Sequence, residues 1–248
     1  LTVLRIPMPA VQSVTVLALC NTGSRYEQSA EQGIAHFFEH IVFKGTQQYP
    51  TAQILASAID GIGADFNAFT SKEYTGYYVK SLDVVSDMLL APRIAQDDIE
   101  RERGVIIEEI NMYEDTPMRN VGSVFEQMVF EGSGLGHDIL GTKETVSAIN
   151  KDNFEEFLRK WYGLANLVVV VAGDASVVES EACLTEITQA FAKSHEPRQE
   201  KRIDTTSLAQ KDRFEPKKTV LISYKKTEQA HLVLAWNGIA RGDKRRYA

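Results

Sequence analysis

Residues 33–43, GIAHFFEHIVF, place two imidazoles and a carboxylate inside an otherwise apolar run, and no other stretch of the 248-residue chain constrains the fold as strongly. An α-helix advances about 100° per residue, so with His36 at 0°, Glu39 falls at about 300°, His40 at about 40° and Phe43 at about 340°. The polar trio shares one narrow face. Ile34, Phe37, Phe38, Ile41 and Val42 take the opposite arc, and no further charged residue occurs from 33 to 43. Such a helix is buried nearly all round. The fold must wrap a core around it, with the carboxylate of Glu39 inside.

Neutral imidazoles four residues apart on a helix can both reach one Zn²⁺, and a carboxylate between them can act on water there. A lone buried histidine reads as a hydrogen-bonded core residue; two with a glutamate on one face reverse that reading. H-x-x-E-H is the inverted form of the zinc-peptidase motif H-E-x-x-H.

A catalytic zinc takes three protein ligands, and the stretch IERERGVIIEEINMYED supplies candidates for the third. With Glu102 at 0°, the apolar residues Val105, Ile106, Ile110, Met112 and Tyr113 spread from about 280° to about 80°. Glu109 falls at about 340°, inside that arc, and Glu108 at about 240°, outside it. Glu109 is therefore expected to point inward and Glu108 toward solvent. Glu102, two turns before Glu109, is either a carboxylate that orients a ligand or one end of an acidic surface stripe. A purely structural zinc would want four ligands, usually rich in cysteine, and neither Cys20 nor Cys183 lies near these motifs.

The rest of the chain alternates strand-like and helical stretches. Residues 1–6 and 11–19 are β-branched and joined by PMPA, which suits a hairpin. Residues 64–80 form a second hairpin around TSKE, and NLVVVVAGD (166–174) reads as a buried central strand. Helices are expected over 33–44, 51–63, 82–91, 97–115 (with Asp97 or Asp98 as N-cap), 118–130, 151–162 and 176–193. Residues 196–218 are polar and charged, as in an exposed linker. TVLISYKK and HLVLAWNG then return to strand character. Strands of that kind open another layered unit. The domain reading is a catalytic domain over 1–195, a linker over 196–218, and the truncated beginning of a second half over 219–248.

A net charge of −7 with no lysine- or arginine-rich run argues against nucleic acid and anionic lipid as partners. No apolar run reaches the roughly 18 residues of a membrane span. Two distant cysteines read as buried thiols in a reducing compartment, which points to the cytoplasm. A first residue other than Met leaves a processed, periplasmic protein open.

TGSRYE, GIAHFFEHIVFKGT, NAFTSKEYTGYY, DDIERERGVIIEEINMYEDTP, ILGTKETVSAI and NLVVVVAGD, in that order, resemble the pitrilysin, insulin-degrading and mitochondrial-processing peptidase family of inverted zinc metallopeptidases, and most of all its bacterial processing-peptidase-like members. The resemblance implies zinc held by His36, His40 and Glu109, with Glu39 as the general base that activates water and Glu102 as an accessory glutamate. It also implies that Asn67, Ala68 and Phe69 form a strand edge that takes an extended peptide by β-addition, and that Glu73 supports a zinc histidine from behind. The implied activity is zinc-dependent endopeptidase cleavage of peptides or unfolded segments. The family's second half, in cis or in trans, closes over the substrate and contributes an arginine–tyrosine pair, which Arg245 to Tyr247 do not represent; a dimer is one such arrangement. Relatives that serve as non-catalytic scaffold or partner subunits supply the alternative reading. One departure stands out: from His40 to Glu109 is 109 − 40 = 69 positions, fewer than in the family, with the shortfall near VKSLDVVSD. The fold expected is α+β, a mostly antiparallel sheet with helices packed on one face.

Overall fold

The computed structural model of the chain describes residues 1–192, 198–206, 219–226, 228–239 and 242–247. The valine run forms β5 (Leu167–Asp174), hydrogen-bonded along both edges within a five-stranded sheet. Its neighbours are β1 (Thr2–Met8), which runs parallel to it, and β2 (Val14–Cys20), which runs antiparallel. Beyond β2 come β4 (Thr75–Val79) and then β3 (Phe66–Thr70), both in antiparallel ladders, giving the order β1-β5-β2-β4-β3. The expected 64–80 hairpin is present. The expected β1–β2 hairpin is not, because β5 enters between the two strands and takes the hydrogen bonds of both. A strand rich in valine gains most where both of its edges are paired and water is excluded.

Strand side chains alternate faces. Val16, Ala18, Cys20, Tyr77, Val79, Leu167, Val169 and Val171 are buried against the helical layer. Against them lies α1 (Ile34–Ile41), in which Ile34, Phe37, Phe38 and Ile41 are at most 1% exposed. Burying each such side chain stabilises the fold by roughly 1.5–3 kcal/mol. The rings of Phe37 and Phe38 meet Phe154 and Phe157 of α7 (Lys151–Trp161) and Tyr162 just beyond it. Tyr77 and Tyr162, both fully buried, satisfy each other through their hydroxyls at 2.7 Å, as buried polar groups must.

The remaining helices are α2 (Ala52–Asp60), α3 (Leu82–Leu90), α4 (Gln96–Glu114), α5 (Pro117–Val129), α6 (Lys143–Ala148), α8 (Ala175–Val178) and α9 (Glu181–Phe191). Three of them depart from expectation. The helix foreseen over 176–193 is broken where Ser180 caps α9 through the amide of Cys183. α4 starts earlier than foreseen, with Ala95 as N-cap and Asp97 and Asp98 in its first turn, where acidic side chains favour the helix dipole. α6 was not foreseen, although Thr142 and Thr145 form a capping box at its start. Lys80 and Ser81 suffice to join β4 to α3, and Ser81 caps that helix.

Among the described residues of 219–239 no strand forms, and Val220, Ile222, Leu232 and Trp236 are exposed. Strand character in a sequence becomes a strand only through a paired neighbour. Much of the expected linker, including 207–218, lies outside the described residues. Its 198–206 stretch lies along the first half: Arg198 donates to the carbonyls of Leu89, Leu90 and Tyr162, and Asn21 donates to Thr205. No helix among the described residues is long and apolar enough to cross a membrane.

Candidate metal centre

α1 lacks a Ser, Thr, Asp or Asn cap, so its first amides need another acceptor. Glu27 provides one from the preceding loop, taking the Gly33 N–H at 2.8 Å and the Ala35 N–H at 2.9 Å on its two oxygens. Burial pushes the Glu27 carboxyl up to about 8, with the two amide bonds pulling the other way. Gly33 adopts φ 92°, and a Cβ there would stand 2.4 Å from the Leu140 carbonyl. Only glycine fits. Sequence reasoning missed Glu27; the signal was an acid shortly ahead of an apolar helix that has no cap of its own.

The polar face of α1 meets α4. His36 Nε2 lies 3.7 Å and His40 Nε2 3.8 Å from Glu109 Oε2, and one donor atom from each of the three residues falls within 4.8 Å of the others. Glu109 is partly buried and Glu108 exposed, as the helical angles required. Val105 and Met112, expected on the inward arc, are instead 47% and 54% exposed.

Donors about 2.0–2.1 Å from a tetrahedral Zn²⁺ stand roughly 3.3 Å apart, so small side-chain adjustments bring this set to bonding distance. Its chemistry also fits. Burial, reinforced by His40, drives the His36 imidazole down to about 3, so it is neutral near pH 7 and able to donate a lone pair. Its Nδ1 is buried without a hydrogen-bond partner among the described residues, while Nε2 faces Glu109.

Glu102 is only 6% exposed, which removes the surface-stripe reading. Its Oε2 lies 3.2 Å from His40 Nδ1 and its Oε1 2.7 Å from Lys44 Nζ. An imidazole held at one nitrogen by a carboxylate has its tautomer and ring orientation fixed at the other. The expectation that Glu73 would do this is not met. Glu73 sits in the β3–β4 turn, 52% exposed at its side chain and paired with Arg25, because the hairpin turn carries it away from α1. Glu102 stands behind His40 in its place.

Glu39 remains outside the trio. Thr70, the last residue of β3, donates its hydroxyl to Glu39 Oε2 at 2.5 Å. Burial raises the carboxyl of Glu39 above the usual carboxylate range, against the pull of that hydrogen bond, which leaves a base stronger than a solvated glutamate. Asn67, Ala68 and Phe69 lie on β3, the outermost strand, which among the described residues pairs with β4 alone. The Ala68 amide is held by Asn67 Oδ1 at 2.9 Å, and the Phe69 ring covers Gly76, where a Cβ would come within 2.2 Å of it. The outer edge of β3 therefore runs beside Glu39.

The chain matches the Insulinase (Peptidase family M16) profile over residues 2–143 and the Peptidase M16 inactive domain profile over residues 148–248. It is 38% identical over 249 residues to an uncharacterized zinc protease of Streptomyces coelicolor, covering 97% of this chain and 53% of that protein. It is 36% identical over 247 residues to another uncharacterized zinc protease, from Bacillus subtilis, covering 96% and 57%. The chain spans about half the length of these curated relatives. Among solved structures, a protease from Helicobacter pylori superposes with a TM-score of 0.72 at 24% identity over 82% of this chain and 49% of that one, a likeness of fold. With two imidazoles of an H-x-x-E-H helix and the Glu109 carboxylate of α4 brought together, and these matches along the chain, the protein belongs to the insulinase family of peptidases, family M16.

Proposed function

We propose that this chain is the metal-binding half of a zinc endopeptidase that hydrolyses extended peptides or unfolded segments. The observation that carries the reading is the convergence of His36, His40 and Glu109 with Glu39 left uncoordinated beside them. His36, His40 and Glu109 would hold the ion. When bound, Zn²⁺ supplies a Lewis acid that makes water nucleophilic near neutral pH and polarises a carbonyl.

Glu39 takes the proton of the attacking water and delivers it to the leaving amine, a role suited to a carboxyl whose basicity burial has raised. Thr70 holds one oxygen of Glu39, leaving the other free to face the water. Asn67, Ala68 and Phe69 bind the substrate backbone along the open edge of β3, which sets the register of the scissile bond beside Glu39. An edge strand accepts only extended chain, so unfolded segments are the substrate class. A second half, beginning near residue 219 or supplied by a partner chain, closes over this open edge.

The test uses the whole protein. Glu39→Gln keeps about one zinc per active domain and loses peptide cleavage; unchanged turnover in that variant overturns the mechanism. The competing reading, a scaffold half, draws on the inactive-domain match over 148–248. Zinc bound with no cleavage of unstructured peptides, when both halves are present, decides for it.

A further inference from the structure

We propose that Lys44 is a positioning residue for the metal centre: its ammonium fixes one oxygen of Glu102 so that the other holds His40 by Nδ1, and this sets the affinity of the site for Zn²⁺. The proposal rests on the reading of His40 as a ligand and extends it to a residue outside the motif.

The geometry is a short relay. Lys44 Nζ stands 2.7 Å from Glu102 Oε1, and Glu102 Oε2 stands 3.2 Å from His40 Nδ1. The Glu102 side chain is 8% exposed and that of Lys44 26%, so the carboxylate is largely shielded from solvent. A buried carboxylate needs compensation. Among the described residues, Lys44 is the cation beside Glu102 that supplies it. Remove the ammonium, and Oε1 loses the donor that holds it among the described residues. The carboxylate is then free to turn about its terminal torsion, and the imidazole loses the contact that fixes its ring.

The backbone delivers Lys44 to this place rigidly. α1 passes into a 3₁₀ turn, Val42–Lys44, and the chain then reverses at Gly45 with φ 141°. A Cβ on Gly45 would lie 2.9 Å from the Pro50 carbonyl, so the reversal is closely packed. The next residues are bonded to the segment that leads into α4: Arg93 N–H donates to Gly45 O at 2.9 Å, Gln47 N–H donates to Ala91 O at 2.9 Å, and Thr46 bridges Pro92. The strap that carries Lys44 is thus tied to the segment from which α4 brings Glu102. A flexible surface lysine would have no such restraint.

The test is zinc affinity in the full-length protein, measured by competition with a chromogenic chelator at fixed pH, alongside the melting temperature of the metal-free protein. Loss of a partner that orients a ligand costs about 10- to 100-fold in affinity, and Lys44 acts one step further out. Lys44→Met is expected to weaken zinc binding about tenfold and, because it leaves the buried Glu102 carboxylate uncompensated, to lower the metal-free melting temperature as well, and Lys44→Arg to restore most of both losses. Lys44→Gln serves as a second neutral variant should Lys44→Met fold poorly. In a Glu102→Gln background, Lys44→Met should add little, because its effect passes through that carboxylate. Wild-type affinity in both neutral variants, or a full additional loss in the Glu102→Gln background, overturns the proposal. Failure of the wild-type protein to bind zinc, or binding that survives His36→Ala, overturns the reading of the site itself and is told apart by needing no Lys44 variant.

Discussion

Thr70 donates its hydroxyl to Glu39 Oε2 at 2.5 Å, which joins the last residue of the open edge strand to the acid beside the metal ligands. The strand that would hold a peptide and the group that would handle protons are one bonded unit. Thr70→Val keeps the shape and removes the donor. A hydrogen bond to a charged group contributes about 1.5–3 kcal/mol, so kcat should fall by roughly tenfold or more, with KM and zinc content little changed. Steady-state kinetics with metal analysis checks this; an unchanged kcat removes Thr70 from the machinery.

Zinc should stabilise the fold that binds it. At a free concentration of about 100 times Kd, the ion adds about 2.7 kcal/mol, which for a domain of this size is roughly 5–10 °C in melting temperature. Stripping the metal with a chelator should lower the melting temperature by that amount, and His36→Ala should abolish the difference.

Glu27 gives the stability a dependence on pH. Its folded carboxyl lies at about 8 against an ordinary value of 4.5, so the folded state holds a proton that the unfolded chain releases between those values. Stability on its account is full below about pH 4.5, declines as pH rises, and is gone above about pH 8, with a slope of at most about 1.4 kcal/mol per pH unit. Glu27→Gln, which keeps a carbonyl acceptor for one amide, should flatten urea midpoints across that window. An equal slope in wild type and variant contradicts the assignment.

Tyr77 and Tyr162 offer a test of the core under α1. Tyr77→Phe strands the Tyr162 hydroxyl in a fully buried position and should cost about 1–3 kcal/mol. Removing both hydroxyls should cost less than the sum of the two single changes, because no orphan remains. Chemical unfolding of the three variants measures it.

The sequence disclosed the site better than the sheet. His36, Glu39 and His40 are separated by helical intervals, and Glu109 lies on an apolar arc, so their positions follow from a single period that local chemistry imposes. Partner choice among strands follows no such period. β1 and β2 are adjacent in sequence, yet β5 lies between them, and nothing local to PMPA reports a strand some 150 positions away. Glu73 and Glu102 show the same limit within the site. The direction of the β3–β4 hairpin decides that Glu73 meets Arg25, and the packing of α4 on α1 decides that Glu102 meets His40. Glu27 was hidden because it reaches Gly33 and Ala35 across a loop, and Lys44 because its partner Glu102 lies 102 − 44 = 58 positions further along the chain.

The late arrival of β5 has a consequence for biosynthesis. The H-x-x-E-H segment leaves the ribosome long before Leu167–Asp174, yet the sheet beneath it has a gap until those valines slot in beside Val14–Cys20. Loop closure over so many residues is slow. A nascent chain therefore carries Phe37, Phe38 and both imidazoles without their floor until Leu167–Asp174 has been made, and this is the interval in which exposed apolar surface calls for shielding by chaperones.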